Sequence, residues 1–567
     1  MSSIHKMQEP RANLSYNGFD LSHQLKFTSS VGQLLPVYYD FLSPGESVKI
    51  KPEMFSRLQD MTSPAFTRLT EHVDFFFVPM NQLFTPFENL FYGVDDFNSD
   101  FFNDVSGKDS MSHYPMVQLS LLMEALGQYG NFDVFGCDAH GSATRLFDLL
   151  GYGSETLPKL VSSTFNFSIN PTLLQAYQKI YYDFYRLSDR EENIVSAYNI
   201  DRYCGQDYIT DKQRIARMCQ LHYRPWKKDF YTNNHITPLV QSTSIGFLAG
   251  IELNDVSNWL TDYLVSARKF DGQLSNANDS SSVAYTNVGL AGSTSTDTNR
   301  SVNTATFRSM FALEKLLEIT RRAGKQIDKQ QLAHFGVPMP TGISGKVRYL
   351  GSNHGVIQVQ DVVATTAGTR PDDTVQTLGQ VGGRGVGYMD SRQISYKADC
   401  HGIIMGIYSC VPESDYSSVG IDKINTYSLP VDYPRPEFDR LGMQPLFAYQ
   451  GDFTQDAVLN STILGWQYRY MELKCKHDRI SGGLLTNWKN WCTQRVVRNN
   501  NLPTYLINPN MLDSIMLVKY LGSSADEDED GLTYNSENPW QTDPLIHTVH
   551  FVSHKVSNMS TYGLNAH

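Results

Sequence analysis

Between Leu69 and Phe77 the chain alternates, with Leu69, Glu71, Val73, Phe75 and Phe77 on one side and Thr70, His72, Asp74 and Phe76 on the other. A period of two marks a strand, because successive side chains leave a pleated backbone on opposite faces. The segment runs into Pro79, which has no N–H to donate and cannot continue a central ladder. Residues 31–42 (VGQLLPVYYDFL) have the same texture and stop at the turn signal Ser43-Pro44-Gly45, and 47–51 then resume a short strand. Segments 402–411 (GIIMGIYSCV), 464–475 (LGWQYRYMELKC) and 545–553 are rich in the aromatic and β-branched residues that half-buried strands favour. Strands spread this widely, without regular alternation with helices, argue against a parallel βαβ sheet. They predict an antiparallel sandwich with long, elaborated connections.

Helices are expected in those connections. Over 171–187, Asn170 caps, Pro171 takes the first helical position, and Leu173, Tyr177, Ile180, Tyr181 and Phe184 form one stripe. A second helix is predicted over 306–323, with Phe307, Met310, Phe311, Leu313, Leu316 and Leu317 on its apolar side. Arg321 and Arg322 fill its last turn and Gly324 follows, which suits the helix dipole and a left-handed cap. Shorter helices are expected at 116–126, 143–150 and 326–334. The first thirty residues are polar and weakly patterned, an extended arm. Residues 272–306 are almost wholly Ser, Thr, Asn, Gly and Ala and lack the apolar area to join a core. They are either a flexible surface loop or an exposed tip that meets a partner.

Hydrophobic residues make up 41% of the 567-residue chain and charged residues 19%, against roughly 25% charged in an average globular protein. With 32 Tyr and 30 Phe, such a composition suits either a large packed core or extensive protein–protein contact. The net charge of −12 is opposite to that of a stand-alone nucleic-acid binder. If the protein encloses nucleic acid, it does so with local basic patches or a separate basic partner. The cysteines at 137, 204, 219, 400, 410, 475 and 492 are odd in number and scattered, a pattern of reduced thiols. The start of the chain lacks the apolar run of a secretory signal, and no run is long enough to span a membrane. The expectation is a soluble protein, intracellular when made.

Motifs for chemistry mostly fail. The run 379–387 (GQVGGRGVG) lacks the G-x-G-x-x-G spacing and reads as turn or loop, and Gly345-Lys346 lacks the rest of a phosphate-binding loop. Cys400-His401 and the pair Cys475 and His477 have no second pair at zinc spacing. Asp526, Asp528, Asp530, Gly531 and Glu537 satisfy a calcium-loop pattern, but Gly522-Ser-Ser before it and Pro539 after it leave no flanking helices. A solvated acidic surface competes with that interpretation. Two basic–aromatic clusters remain. Residues 222–231 hold His222, Tyr223, Arg224, Trp226, Lys227 and Lys228; residues 488–498 hold Trp488, Lys489, Trp491, Arg495 and Arg498. Cations with exposed aromatics suit a single strand of nucleic acid. The competing interpretation is a Trp buried in a core or interface with Arg or Lys lying over it.

Several stretches resemble the major capsid protein of gokushoviruses, single-stranded DNA bacteriophages of the microvirus family. They are FDLSH (19–23), VGQLLPVYYDFLSPGESVKI (31–50), MFSRLQDMTSPAFTRL (54–69) and HVDFFFVPMNQLF (72–84). LLQAYQKIYYDFYR (173–186), RPWKKDFYTN (224–233) and FRSMFALEKLLEITRRAGKQIDKQQLAHFGV (307–337) follow in the family's order. HGIIMGIYSCVPESDY (401–416) and DYPRPEFDRLGMQPL (432–446) complete the colinear set. The resemblance lapses between about 240 and 306, where the family carries an insertion that builds a surface protrusion.

The resemblance implies an eight-stranded antiparallel jelly roll with long helical and loop insertions. Its expected parts are an arm (1–30), a first core part (31–239), the protruding insertion (240–306) and a second core part (307–567). Copies would self-assemble into a T=1 icosahedral shell, within the bacterial cytoplasm, around a circular single-stranded DNA genome. Implied partners are further copies of the chain, a small basic internal DNA-binding protein, a pilot or minor capsid protein and a host cell-surface receptor, with no membrane insertion. No catalytic, cofactor-binding or metal residue is predicted. The rival functions are a receptor- or carbohydrate-binding β-sandwich acting as a small oligomer, and a jelly-roll glycosidase needing two facing carboxylates.

Overall fold

A computed structural model describes residues 15–92, 114–130, 134–135, 139–153, 167–236, 326–339, 345–363, 368–369, 375–376, 381–430, 432–439, 443–512, 515–516 and 543–561, with isolated positions from 308 to 323. A ten-stranded antiparallel sheet dominates it. In chain order its strands are β1 (Asn17–Asp20), β2 (His23–Ser29), β3 (Leu35–Leu42), β4 (Ser47–Leu58), β5 (Leu69–Pro79), β6 (Arg348–Val363), β7 (Val381–Asp390), β8 (Ile394–Lys397), β9 (Gly402–Pro412) and β10 (Leu545–Ser557). Across the sheet β1 and β2 share the outer edge of β10, followed by β4, then β7 and β8 end to end, then β6, β5, β9 and β3. The pairing is nested: β2 lies on β10, β3 on β9, β4 on β7 and β5 on β6.

The sheet curls until its two ends meet through their inner faces. Tyr38 of β3 donates to or accepts from Ser553 Oγ of β10 at 2.9 Å, and its ring centroid lies 5.2 Å from that of Phe551. Phe27 of β2 meets Tyr408 of β9 edge-on at 5.2 Å. The chain is therefore mainly β around one large curled antiparallel sheet, an architecture compatible with a jelly roll.

Along β4 and β10 burial alternates strictly over most of their length, as a one-sided sheet demands. β9 is buried on both faces throughout. Helices lie over this half of the sheet: α1 (Leu119–Tyr129), α2 (Ala139–Leu149), α3 (Thr172–Ile180) and α4 (Lys212–Met218). Of these, α3 packs on β9 and β5, α2 lies against β3, and α1 pairs with α4. Asn170 Oδ1 accepts from Thr172 N at 3.0 Å, so the expected cap is present. The helix then passes into a π-helical turn over Tyr181–Tyr185. The wider turn rotates the stripe, so Tyr182 and Tyr185 are buried and Phe184 is largely exposed. A short helix α5 (Ile327–Phe335) ends at Gly336, whose φ of 70° provides the left-handed cap. The described positions between 308 and 323 are helical.

The sequence expectations need correction at several places. The glycine run 379–387 falls largely in β7 and is not a loop. Its Gly383, Gly385 and Gly387 face inward, where a Cβ on Gly385 would lie 2.7 Å from Leu58 Cβ. The predicted strand 464–475 stops at Tyr468, and Met471–Lys474 is a helical turn entered through Tyr470 at φ 59°. Residues 17–20 and 23–29 of the expected arm are strands of the main sheet. The segment 240–306 and the acidic loop Asp526–Glu537 lie outside the described residues.

A smaller apolar cluster of Phe230, Tyr231, Tyr416, Leu446, Ala448, Leu464 and Val497 stands beside the main core. Short pairings hold it: Asp415–Ser417 between Arg479–Ile480 and Gln494–Arg495, and Met443–Phe447 against Ile463–Tyr468.

Candidate assembly and nucleic-acid interface

The structure brings the two basic–aromatic clusters together and turns the aromatics of the first inward. His222, Tyr223, Trp226, Phe230 and Tyr231 are all buried. The Arg495 guanidinium lies over the Trp226 ring, 4.3 Å from its centroid, and donates to Tyr416 Oη at 2.7 Å and to the Thr504 carbonyl at 2.7 Å. Asp229 stands 3.7 Å away. Arg224 reaches Asp74 Oδ2 at 3.2 Å, and the Tyr185 hydroxyl donates to the same oxygen at 2.6 Å. Arg498 is paired with Asp452. These arginines hold packed segments together, the arrangement in which a cation covers a buried aromatic. Lys227, Lys228, Trp488 and Lys489 alone of the cluster residues stand well out in solvent, apart from the paired Arg498.

Buried and half-buried histidines follow the same logic. His222 stacks on Tyr181 with centroids 3.6 Å apart, its Nε2 lies 2.6 Å from Gln178 Oε1, and burial pushes its pKa down to about 3. His72 is held at about 4, chiefly by burial and then by the Arg224 charge. His401 sits in a nest of Phe41, Phe87, Phe91 and Tyr92. His477 stacks on Phe230 at 5.4 Å. Among the described residues no three His, Cys, Asp or Glu side chains gather as a metal site would require, and the six described cysteines form no disulfide with one another.

One constellation has the residue types of a hydrolytic triad. His547 Nε2 is 2.7 Å from Ser29 Oγ and its Nδ1 is 2.8 Å from Ser56 Oγ. Ser56 and Tyr408 both donate to Glu71 Oε1, at 2.6 and 2.9 Å. Every member is buried between the two halves of the sheet, where no substrate reaches it. It pairs these buried polar groups with one another inside the curled sheet, leaving Glu71 Oε2 without a hydrogen bond.

Exposed aromatic side chains are the surface feature that sequence patterning missed. Phe66 is 72% exposed and Trp488 60% exposed, with Trp491 packed against Phe66 at 5.6 Å. Phe91, Tyr92 and Phe41 form a second exposed group around His401. Exposed apolar groups of this kind mark contact surfaces.

A family model described as capsid protein (F protein) matches residues 8–120 and 145–495. The chain belongs to this phage capsid protein family. Relatives include capsid protein VP1 of Chlamydia phage 1, 22% identical over 556 residues, covering 84% of this chain and 87% of the relative. Capsid protein VP1 of Bdellovibrio phage phiMH2K is 22% identical over 498 residues, covering 85% of this chain and 84% of the relative. The resemblance to gokushovirus capsid proteins is borne out at the level of the family. A capsid (F protein) subunit works through contact with like subunits in a shell, a structural role, and the exposed aromatics fit that role. Among the described residues no helix is long and apolar enough to cross a membrane.

Proposed function

We propose that this chain is the major capsid protein of a gokushovirus-like microvirus, an eight-stranded jelly roll whose copies close into a T=1 icosahedral shell around circular single-stranded DNA. The observation that carries the proposal is the nested pairing of β2 with β10, β3 with β9, β4 with β7 and β5 with β6, in a chain whose family is that of phage capsids. Rolling a ribbon of four nested strand pairs is what produces a jelly roll, with B-to-I order read along the chain. Closed point-group symmetry requires different contacts around each axis, and modest interfaces then become stable through multivalency.

The rest of the proposal follows the resemblance. The segment before β1 and the loops reach neighbouring copies, 240–306 forms an exposed protrusion for host attachment, and a small basic protein inside offsets the acidic net charge. The shell is built in the host cytoplasm, and a pilot protein joins it in the virion. The role is structural and not catalytic.

Negative-stain or cryo-electron microscopy of the expressed protein, with its phage partners supplied, tests this. Uniform icosahedral particles with knobs at the threefold axes are expected. Monomers or small rings alone, with those partners present, would replace the proposal with a receptor-binding sandwich.

A further inference from the structure

The outward face of β2, β10, β4, β7 and β8 carries a charge balance opposite to that of the whole chain. Outward positions on these strands hold Lys26, Lys49, Lys51, Arg57, Arg384 and Lys397. Register puts Lys26 beside Thr548, Thr548 beside Phe55, and Phe55 beside Tyr388, so one row crosses four strands. The opposing carboxylates among the described side chains are Glu53, held by Lys51 at 2.8 Å, and Asp20, 3.7 Å from His554. Lys26, Lys49, Arg384 and Lys397 make no ion pair among the described residues. Tyr388 is 62% exposed in the middle of this face, and the Arg57 guanidinium lies 5.2 Å from the Phe55 ring centroid.

Outward residues on one strand stand about 7 Å apart and neighbouring strands about 5 Å apart, so these groups form a continuous grid. Lysine is depleted where proteins bury surface against each other. Cations spaced around exposed aromatics suit a flexible polyanion with stackable rings. Charge complementarity thus favours nucleic acid over a second copy of the chain. The inward residues of the same strands, Val48, Ile50, Met54, Val549 and Phe551, are core. The outward face is free to be cationic without cost to packing.

We propose that a single-stranded nucleic acid lies across this face, its phosphates against Lys26, Lys49, Arg57, Arg384 and Lys397 and a base stacked on Tyr388. The proposal rests on the capsid function above and identifies the surface that looks into the shell. The sequence-derived clusters at 222–231 and 488–498 are then structural.

The test is fluorescence anisotropy of a labelled 20-mer oligothymidylate with the full chain, alongside particle counts and DNA content. The triple variant Lys26→Gln, Lys49→Gln, Arg384→Gln is compared with Tyr388→Ala and with a control, Arg435→Gln, Lys476→Gln, exposed residues away from the face. In the triple variant affinity falls about tenfold or more at 0.1 M salt, and the slope of log K against log salt becomes shallower by about 2. Tyr388→Ala weakens binding about fivefold or more, and the control changes neither quantity. All variants keep the wild-type melting temperature.

No oligonucleotide binding by the wild type, or equal binding by the triple variant, overturns the proposal, and particles that still form leave the capsid function standing. Particles lost with oligonucleotide affinity unchanged would show the face to be a contact between copies. Absence of wild-type particles defeats the capsid function, while the anisotropy comparison still decides the face.

Discussion

The guanidinium of Arg495 caps the indole of Trp226, its central carbon 4.3 Å from the ring centroid. One residue from each basic–aromatic cluster is thereby spent on the other. Arg495 is buried with Tyr416, Asp229 and Thr504 around it. Removing one partner of such a buried pair costs about 3 kcal/mol or more. Arg495→Ala therefore lowers the urea midpoint of the unassembled subunit strongly. Arg495→Lys rescues little, because an ammonium can neither stack flat on the indole nor bridge both acceptors. Oligothymidylate affinity of the folded fraction stays at the wild-type value in both.

β7 is pressed against its neighbours at its glycines. A Cβ on Gly385 would meet Leu58 Cβ at 2.7 Å and Ile357 Cγ2 at 3.0 Å, and one on Gly387 would meet Ile357 Cγ1 at 2.7 Å. Overpacking of this kind costs about 1–3 kcal/mol. Gly385→Ala is expected to destabilise by that amount in equilibrium denaturation. Combined with Ile357→Ala, which removes the crowded Cγ2, it should cost less than the sum of the two single changes, since the new Cβ and Ile357 Cγ2 compete for the same space. Strict additivity of the two changes would contradict the packing described.

His222 makes stability depend on pH in one direction. Its pKa is about 6.5 in the unfolded chain and is pushed down to about 3 by burial in the native state. Between those values the unfolded chain holds a proton that the folded chain does not. The stabilisation is complete above pH 6.5 and is lost as pH falls, by at most about 1.4 kcal/mol per pH unit. His222→Gln should flatten the urea-midpoint profile between pH 6.5 and 4. An unchanged slope would mean that His222 is protonated in the fold.

Asp415 works in the opposite sense. Burial first, then the charges of Asp478 and Glu413, raise its pKa from 3.8 to about 6. The folded chain holds the proton more tightly, so this contribution is present below pH 3.8 and is lost as pH rises towards 6. Asp415→Asn should raise the melting temperature at pH 7.5 and leave it unchanged at pH 3.5.

Phe66 and Trp488 face solvent in the subunit. The double variant Phe66→Ser, Trp488→Ser should change subunit stability by no more than about 0.5 kcal/mol. It should nonetheless cut the yield of particles in electron micrographs, because exposed aromatics serve as interface anchors. Wild-type assembly by this variant would remove these residues from the contact surface.

How far the fold could be read depended on whether burial left an apolar period behind. β5, β9 and β10 were legible because their inward positions are large and apolar or aromatic, as at Val73, Phe75, Ile404, Val549 and Phe551. The turn at Gly45 and the cap at Asn170 were legible because each meets a local backbone need. β6 and β7 were not legible. Gly351, Asn353 and Gly355 in one, and Gly383, Gly385 and Gly387 in the other, put small or polar residues where a pattern search expects apolar ones.

The clusters at 222–231 and 488–498 show the same limit at the level of function. Composition placed cations beside aromatics, and local order along the chain ended there. By itself the sequence determined the strand periodicity of the apolar strands, the turns, the places of several helices, and the family. Only the tertiary structure decided which arginines cover buried rings and which lysines stand unpaired on an open sheet face. Periodicity is a local property of the backbone, whereas exposure and pairing depend on which distant segment arrives to cover a side chain.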